Sequence, residues 1–137
     1  MTEGIYVPPG MTRPPLGKDQ AAHREALKLK LLYRDVRCRG CDCYWSEASA
    51  IHMHEGIVSK RDVMGWKLEL RGQINIEANC ILLCHDCNLG LSNKHAPPRA
   101  RVLAEHVHMY GPGVVRWLRS LPFKSHPLRG LLEQYPR

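Results

Sequence analysis

The chain has 137 residues, about one domain's worth, with 44% apolar residues and a single Phe, which limits it to a small and mostly aliphatic core. Lys and Arg number 20 against 13 Asp and Glu, a formal charge of +7 with His neutral. No apolar run approaches the roughly 18 residues of a membrane span, the N-terminal stretch lacks a secretory pattern, and no repeat supports a collagen or coiled-coil class. A cytoplasmic protein with no membrane partner is expected.

Residues 1–17 hold four prolines and three glycines and read as a flexible or extended arm. A basic flanking helix is expected within 18–37, opening at Lys18 or Asp19 and running to about Tyr33. Its apolar face comprises Ala22, Ala26, Leu29 and Tyr33, broadened by Leu27, Leu31 and Leu32. Cys38 to Cys43 reads as a tight turn around Gly40, and Ala50 to Glu55 as a short strand. Val63 to Leu70 is ambiguous. Cys80 to Leu83 reads as a second strand, and the chain from Cys84 as a turn into a short helix stopped by Pro97-Pro98. Residues 97–137 form a basic extension with helices at Arg99 to Tyr110 and Val114 to Leu121, followed by a loosely ordered tail.

Charge follows the same division. Residues 1–37 carry a net +3, residues 38–97 a net −1 and residues 98–137 a net +5. Basic ends around a near-neutral centre suit a polyanion, because phosphate contacts release condensed counterions.

The six cysteines sit at 38, 41, 43, 80, 84 and 87. Cys38-x-x-Cys41 and Cys84-x-x-Cys87 are separated by 42 residues, and two such knuckles suit four thiolates around one structural Zn²⁺. Cys43 could replace Cys41 as a ligand. Cys80 lies in a strand and reads as a small core residue. A disulfide scaffold fits less well, since a two-residue spacer makes a strained loop.

Between and after the knuckles the order is His52-Met53-His54-Glu55, then Asn79, then Asn88 directly after Cys87. Over about residues 38–96 this constellation resembles the HNH nuclease family, as a His-Asn-Asn variant. The stretch from Met53 to Trp66 is similar to phage- and prophage-encoded members. The resemblance implies an α+β chain with a small ββα-metal core, a zinc knuckle pair and flanking helices. It also implies roles: His54 as general base, Asn88 as a ligand of a catalytic metal, and Asn79 as the brace that keeps His54 oriented.

The chemistry independently favours these residue types. A neutral His near pH 7 can deprotonate water, and a divalent cation can stabilise the phosphate and the leaving 3′ oxygen. The chain departs from the family at Met53, where many members place an Asp ligand. His52 or Glu55 could supply that ligand, or His54 could itself be a ligand. Strand alternation puts His52 and His54 on one face and Glu55 on the other. Mg²⁺ or Mn²⁺ is the expected catalytic ion, and histidine ligands would admit Ni²⁺ or Zn²⁺ as well. Lys60, Arg61, Lys94, Arg99 and Arg101 are candidate phosphate contacts, and His85, inside the second knuckle, reads as an exposed residue or a weak phosphate contact.

The leading expectation is a metal-dependent HNH endonuclease that nicks or cuts double-stranded DNA, as a monomer or homodimer. The alternatives are a catalytically degenerate zinc-knuckle DNA-binding module and a phage adaptor that binds packaging proteins, for which Trp117 and Leu118 offer a contact, although a packed core helix suits them better.

Overall fold

Two short strands make the sheet: β1, Ile51–Glu55, and β2, Cys80–Cys84, paired antiparallel. Five α-helices surround them: α1 Ala21–Arg34, α2 His85–Leu89, α3 Arg99–Tyr110, α4 Gly113–Ser120 and α5 Arg129–Leu132. The computed structural model describes residues 4–136. The first three residues of the expected arm and the last of the expected C-terminal extension lie outside the described residues. The class is α+β, and no helix among the described residues is long and apolar enough to cross a membrane.

Register decides what each strand shows to each side. His52 pairs with Leu83 and His54 with Ile81, so these four side chains share one face. Ile51, Met53 and Glu55 share the other with Cys84, Leu82 and Cys80. All five residues of β2 are buried, so both of its faces are covered. On the second face, Leu27 and Leu31 of α1 close over Cys80, Leu82, Ile51 and Met53.

Only part of the expected apolar face of the first helix turns inward, at Leu27 and Leu31 with Leu32 beside them. Ala22 and Ala26 are exposed, and so are Leu29 at 59% and Tyr33 at 90%. Beside those leucines the inward side carries polar groups, each given a partner. His23 Nε2 donates to the Asn75 carbonyl at 2.7 Å, Lys28 Nζ to that of Ile51 at 2.7 Å, and Arg34 to those of Glu77 and Cys80 at 2.6 Å each. Hydrogen bonds to otherwise unpaired carbonyls outweigh the burial of a few more methyl groups.

The ambiguous stretch resolves into turns followed by a 3₁₀ segment at Leu68–Ile74. The helix after the second knuckle ends sooner than expected, at Gly90 in the left-handed region (φ 69°), not at Pro97-Pro98. The two ends of the chain are docked. Ile5 is buried, Tyr6 N–H donates to Ser120 Oγ at 2.8 Å, and Gln73 Nε2 donates to the Pro14 carbonyl at 3.1 Å. Beyond α4, Leu128 and Leu132 enter the core, and Arg119 donates to the carbonyls of Leu132, Tyr135 and Pro136. The tail is therefore folded back instead of loose. Trp117 and Leu118 are fully buried, so they form core and not a contact surface.

Candidate metal centre and histidine face

The turn from Cys38 to Cys43 is closed by Cys38 N–H to the Cys43 carbonyl at 3.0 Å and Asp42 N–H to the Cys38 carbonyl at 2.9 Å. It sits against the start of α2 so closely that a Cβ on Gly40 would meet Cys87 Sγ and the His95 carbonyl, both at 2.8 Å. Only glycine permits that approach.

The sulfurs of Cys38, Cys41, Cys43 and Cys84 all lie within 4.8 Å of one another. The Cys41 and Cys84 sulfurs are 3.8 Å apart, and a zinc–sulfur distance of about 2.3 Å gives a tetrahedron with edges of about 3.8 Å. The thiols therefore fit a zinc ion. One correction concerns the ligand set. Cys43 joins the cluster, whereas it was expected only as a substitute for Cys41. Cys87 lies against Cys84, Cys38 and Cys41. Cys38, Cys41 and Cys84 are thus common to two candidate sets of four, one completed by Cys43 within the group and the other by Cys87 beside it. Cys80 is buried apart from them, with its thiol pushed up to about 12 by burial.

Backbone N–H groups aim at the first sulfur. Gly40 and Cys84 donate to Cys38 Sγ at 3.3 and 3.2 Å. Burial would raise this thiol, yet these donors hold it down at about 7. Burial and the neighbouring sulfurs push Cys43 up to about 12 and Cys87 higher still. Several thiols crowded together hold their protons unless a cation takes the place of those protons.

A salt-bridge network frames this centre. Asp35, 2% exposed, accepts two hydrogen bonds from Arg34 at 2.8 Å, one from Arg39 at 2.9 Å and one from Leu82 N–H at 3.0 Å. Arg39 continues to Glu105 of α3 at 2.9 Å. Burial raises the Asp35 carboxyl, but the two guanidinium groups override it and hold it below the usual carboxylate range.

The other candidate face is built from β1 and α2. Because α2 follows β2 without a loop, His85 and Asn88, three residues apart, look onto the His52–His54 face. His52 Nε2 and His85 Nδ1 are 3.3 Å apart. The Asn88 side chain lies beside His54, and burial, opposed by Glu55 and Asn88, shifts the imidazole below the usual histidine range. Below this face, Asn79 is fully buried. Its Oδ1 accepts from the N–H groups of Ile57 and Val58 at 3.3 and 2.7 Å, and its Nδ2 donates to the carbonyls of Val58 and Ile74 at 2.9 and 3.0 Å.

The structure therefore brings His52, His54 and Asn88 together and adds His85, which the sequence suggests only as an exposed residue or a weak phosphate contact. Its helical spacing from Asn88 was the available signal. Glu55 is corrected as a candidate ligand: it lies on the opposite face and pairs with Arg24 at 3.4 Å. Met53 also lies there, packed under α1. Among the described residues, the cysteines are the only group of three or more His, Cys, Asp and Glu close enough to hold a metal. Three of the candidate phosphate contacts have carboxylate neighbours: Lys94 with Asp86 at 3.8 Å, Arg99 with Asp62 at 3.3 Å and Arg101 with Glu105 at 3.3 Å. Lys60 and Arg61 are exposed on the loop after β1.

Comparison with protein-family models, with curated proteins and with solved structures finds no match.

Proposed function

We propose that this chain is a metal-dependent endonuclease of the HNH type, hydrolysing phosphodiester bonds of double-stranded DNA from a ββα unit formed by β1, β2 and α2. The observation that carries the reading is the meeting of His54 and Asn88 across the sheet–helix contact, with Asn79 locked beneath them. The cysteine cluster would hold a structural zinc, which would join the turn before β1 to the start of α2 and so fix the helix on the histidine face.

His54 is the general base. Its depressed basicity keeps the ring neutral at pH 7, ready to take a proton from the attacking water. Asn88 orients the ring. Asn79 ties the backbone after β1 to the residue before β2, so the strand carrying His54 cannot shift. A divalent cation held by Asn88 with His52 and His85 would stabilise charge on the scissile phosphate and the leaving 3′ oxygen. The His52–His85 separation suits this, since two nitrogens each about 2.0–2.1 Å from one tetrahedral ion lie about 3.3 Å apart. Such nitrogen donors favour Mn²⁺, Ni²⁺ or Zn²⁺ over Mg²⁺. Lys60, Arg61, Lys94, Arg99 and Arg101 supply phosphate contacts. Those with carboxylate partners exchange them for phosphate, so binding weakens with salt.

A supercoiled-plasmid assay with Mg²⁺, Mn²⁺, Ni²⁺ or EDTA tests this. Wild type should yield nicked or linear DNA only with added metal, and His54→Ala should not. Gel-shifted DNA that stays uncut under every metal would overturn the nuclease reading in favour of a DNA-binding zinc module. One observation favours that second reading: both Met53 and Glu55 face away from His54, so β1 brings no acidic ligand to its face.

A further inference from the structure

A cavity of about 440 Å³ opens between the start of α1, the loop after β1 and the 3₁₀ segment Leu68–Ile74. Four cationic side chains line it, Lys18, Arg24, Lys60 and Arg71, against one carboxylate, Asp19. They come from separate stretches of chain, so tertiary folding has gathered like charges, an arrangement that an anion relieves.

Two of the four are held in place by the protein. Arg24 donates to Asn75 Oδ1 at 2.7 Å and pairs with Glu55. Arg71 donates to the carbonyls of Met64 and Trp66 at 2.8 and 3.2 Å. Those neutral partners orient the Arg71 guanidinium and leave its charge unmatched. The adjoining first turn of α1 adds the same sign: it contains no acidic residue, and Gln20 uses its amide on the carbonyls of Pro15 and Gly17 instead of capping. The rest of the wall is apolar. Val63 and Ile74 form its floor, while Met64 and Leu68 stand 58% and 53% exposed at its sides. Apolar sides with a cationic rim suit a ligand with a flat apolar body and a multiply charged end. With Arg24 paired to Glu55, three cations remain against Asp19, more than one carboxylate needs and enough to match a phosphate.

We propose that this cavity is a nucleotide site, taking a phosphate on Lys18, Lys60 and Arg71 and a base against Met64 and Leu68. The nucleotide comes either as one unit of a DNA strand or as a free mononucleotide. The site does not rest on the nuclease reading. Arg24 reaches it beside Glu55, on the face of β1 opposite His54.

Calorimetric titration of the zinc-loaded full chain with dTMP, thymidine, inorganic phosphate and a single-stranded tetranucleotide tests the proposal. Wild type should bind dTMP at least tenfold more tightly than thymidine or phosphate. A Lys18→Gln/Lys60→Gln variant, whose altered side chains are both exposed, should keep the wild-type melting temperature and lose at least tenfold in dTMP affinity. His54→Ala should retain it. Displacement of dTMP by the tetranucleotide assigns the site to a DNA strand, and failure to displace assigns it to the free nucleotide. Either outcome sustains it. Absence of binding by dTMP and tetranucleotide, equal affinity for thymidine or phosphate, or affinity lost with His54→Ala but kept in the double lysine variant would each overturn it. Plasmid cleavage is a separate readout, so failure of the cavity and failure of the nuclease reading are distinguishable.

Discussion

Asn79 and Val58 exchange two hydrogen bonds: Val58 N–H donates to Asn79 Oδ1 at 2.7 Å, and Asn79 Nδ2 returns one to the Val58 carbonyl at 2.9 Å. Both residues are fully buried. The side-chain amide pairs with the backbone as a neighbouring strand would, and it fixes the chain as it leaves β1. Asn79→Ala leaves two N–H groups and two carbonyls without this partner, and should cost about 3–4 kcal/mol in chemical denaturation. Asn79→Asp keeps the shape, loses both donated bonds and buries a charge, so it should be no milder. An Asn79→Asp protein of wild-type stability would remove the bracing role.

Metal dependence follows from the shared thiols. Cys38→Ser, Cys41→Ser and Cys84→Ser each break both possible sets of four, and should abolish stoichiometric zinc and the cooperative thermal transition. Cys43→Ser and Cys87→Ser each leave one set intact and should retain zinc singly, while the double variant should lose it. Zinc released to a colorimetric chelator, read beside the melting curve, checks the pattern. Loss of zinc in Cys87→Ser with none in Cys43→Ser would restrict the site to the two C-x-x-C knuckles.

Asp35 is the hub between α1, the first knuckle and β2. Asp35→Ala strands Arg34 and Arg39, both largely buried, and should cost about 3–5 kcal/mol. Asp35→Asn keeps the size but not the charge and should recover only part of that loss. A neutral effect of Asp35→Ala in urea denaturation would show that the network contributes no net stability.

His106 gives the folded state a pH limit. It is fully buried, its Nδ1 donates to the Ala78 carbonyl at 2.6 Å, and burial pushes its basicity down to about 4. Its ordinary value is about 6.5, so below that pH the unfolded chain binds a proton that the folded chain refuses. Stability should be level above pH 6.5 and fall by up to about 1.4 kcal/mol per pH unit from there towards pH 4. His106→Gln should flatten that slope between pH 6.5 and 5. The same slope in wild type and variant would assign it to other groups.

Met53 tests the reading of the two strand faces. Packed against Leu27, Leu31 and Leu82, it should accept Leu with little change in melting temperature or plasmid cleavage. Met53→Asp should not improve cleavage, since the carboxylate would point away from His54, and it should cost about 1–3 kcal/mol for a charge set among apolar neighbours. Higher activity in Met53→Asp would show that position 53 reaches the histidine face.

Much of the site was legible from spacing. The cysteine spacing announced a thiol centre, and the two strands and the helix Arg99–Tyr110 followed from short-range pattern. Alternation already separated Glu55 from His52 and His54. What spacing left open was which residues from other segments would meet them. His85 looked like an exposed residue inside a knuckle, because its relation to His52 needs both the β1–β2 register and the helix that starts at the end of β2. Cys43 looked like an alternative to Cys41, because only the closed turn shows it beside Cys84.

Residue types and local spacing by themselves determined the thiol chemistry, the strand alternation and the basic ends of this protein, since these depend on neighbours within a few residues. Tertiary structure decided the orientation of α1, the docking of both chain ends, the fifth thiol, the His52–His85 contact and the cationic cavity. Each of these turns on which distant carbonyl, carboxylate or sulfur meets a given side chain. A helix with apolar residues on two sides has no local reason to bury one and not the other. That choice was made by Asn75, Ile51, Glu77 and Cys80, whose carbonyls needed the donors that α1 carries on its inner side.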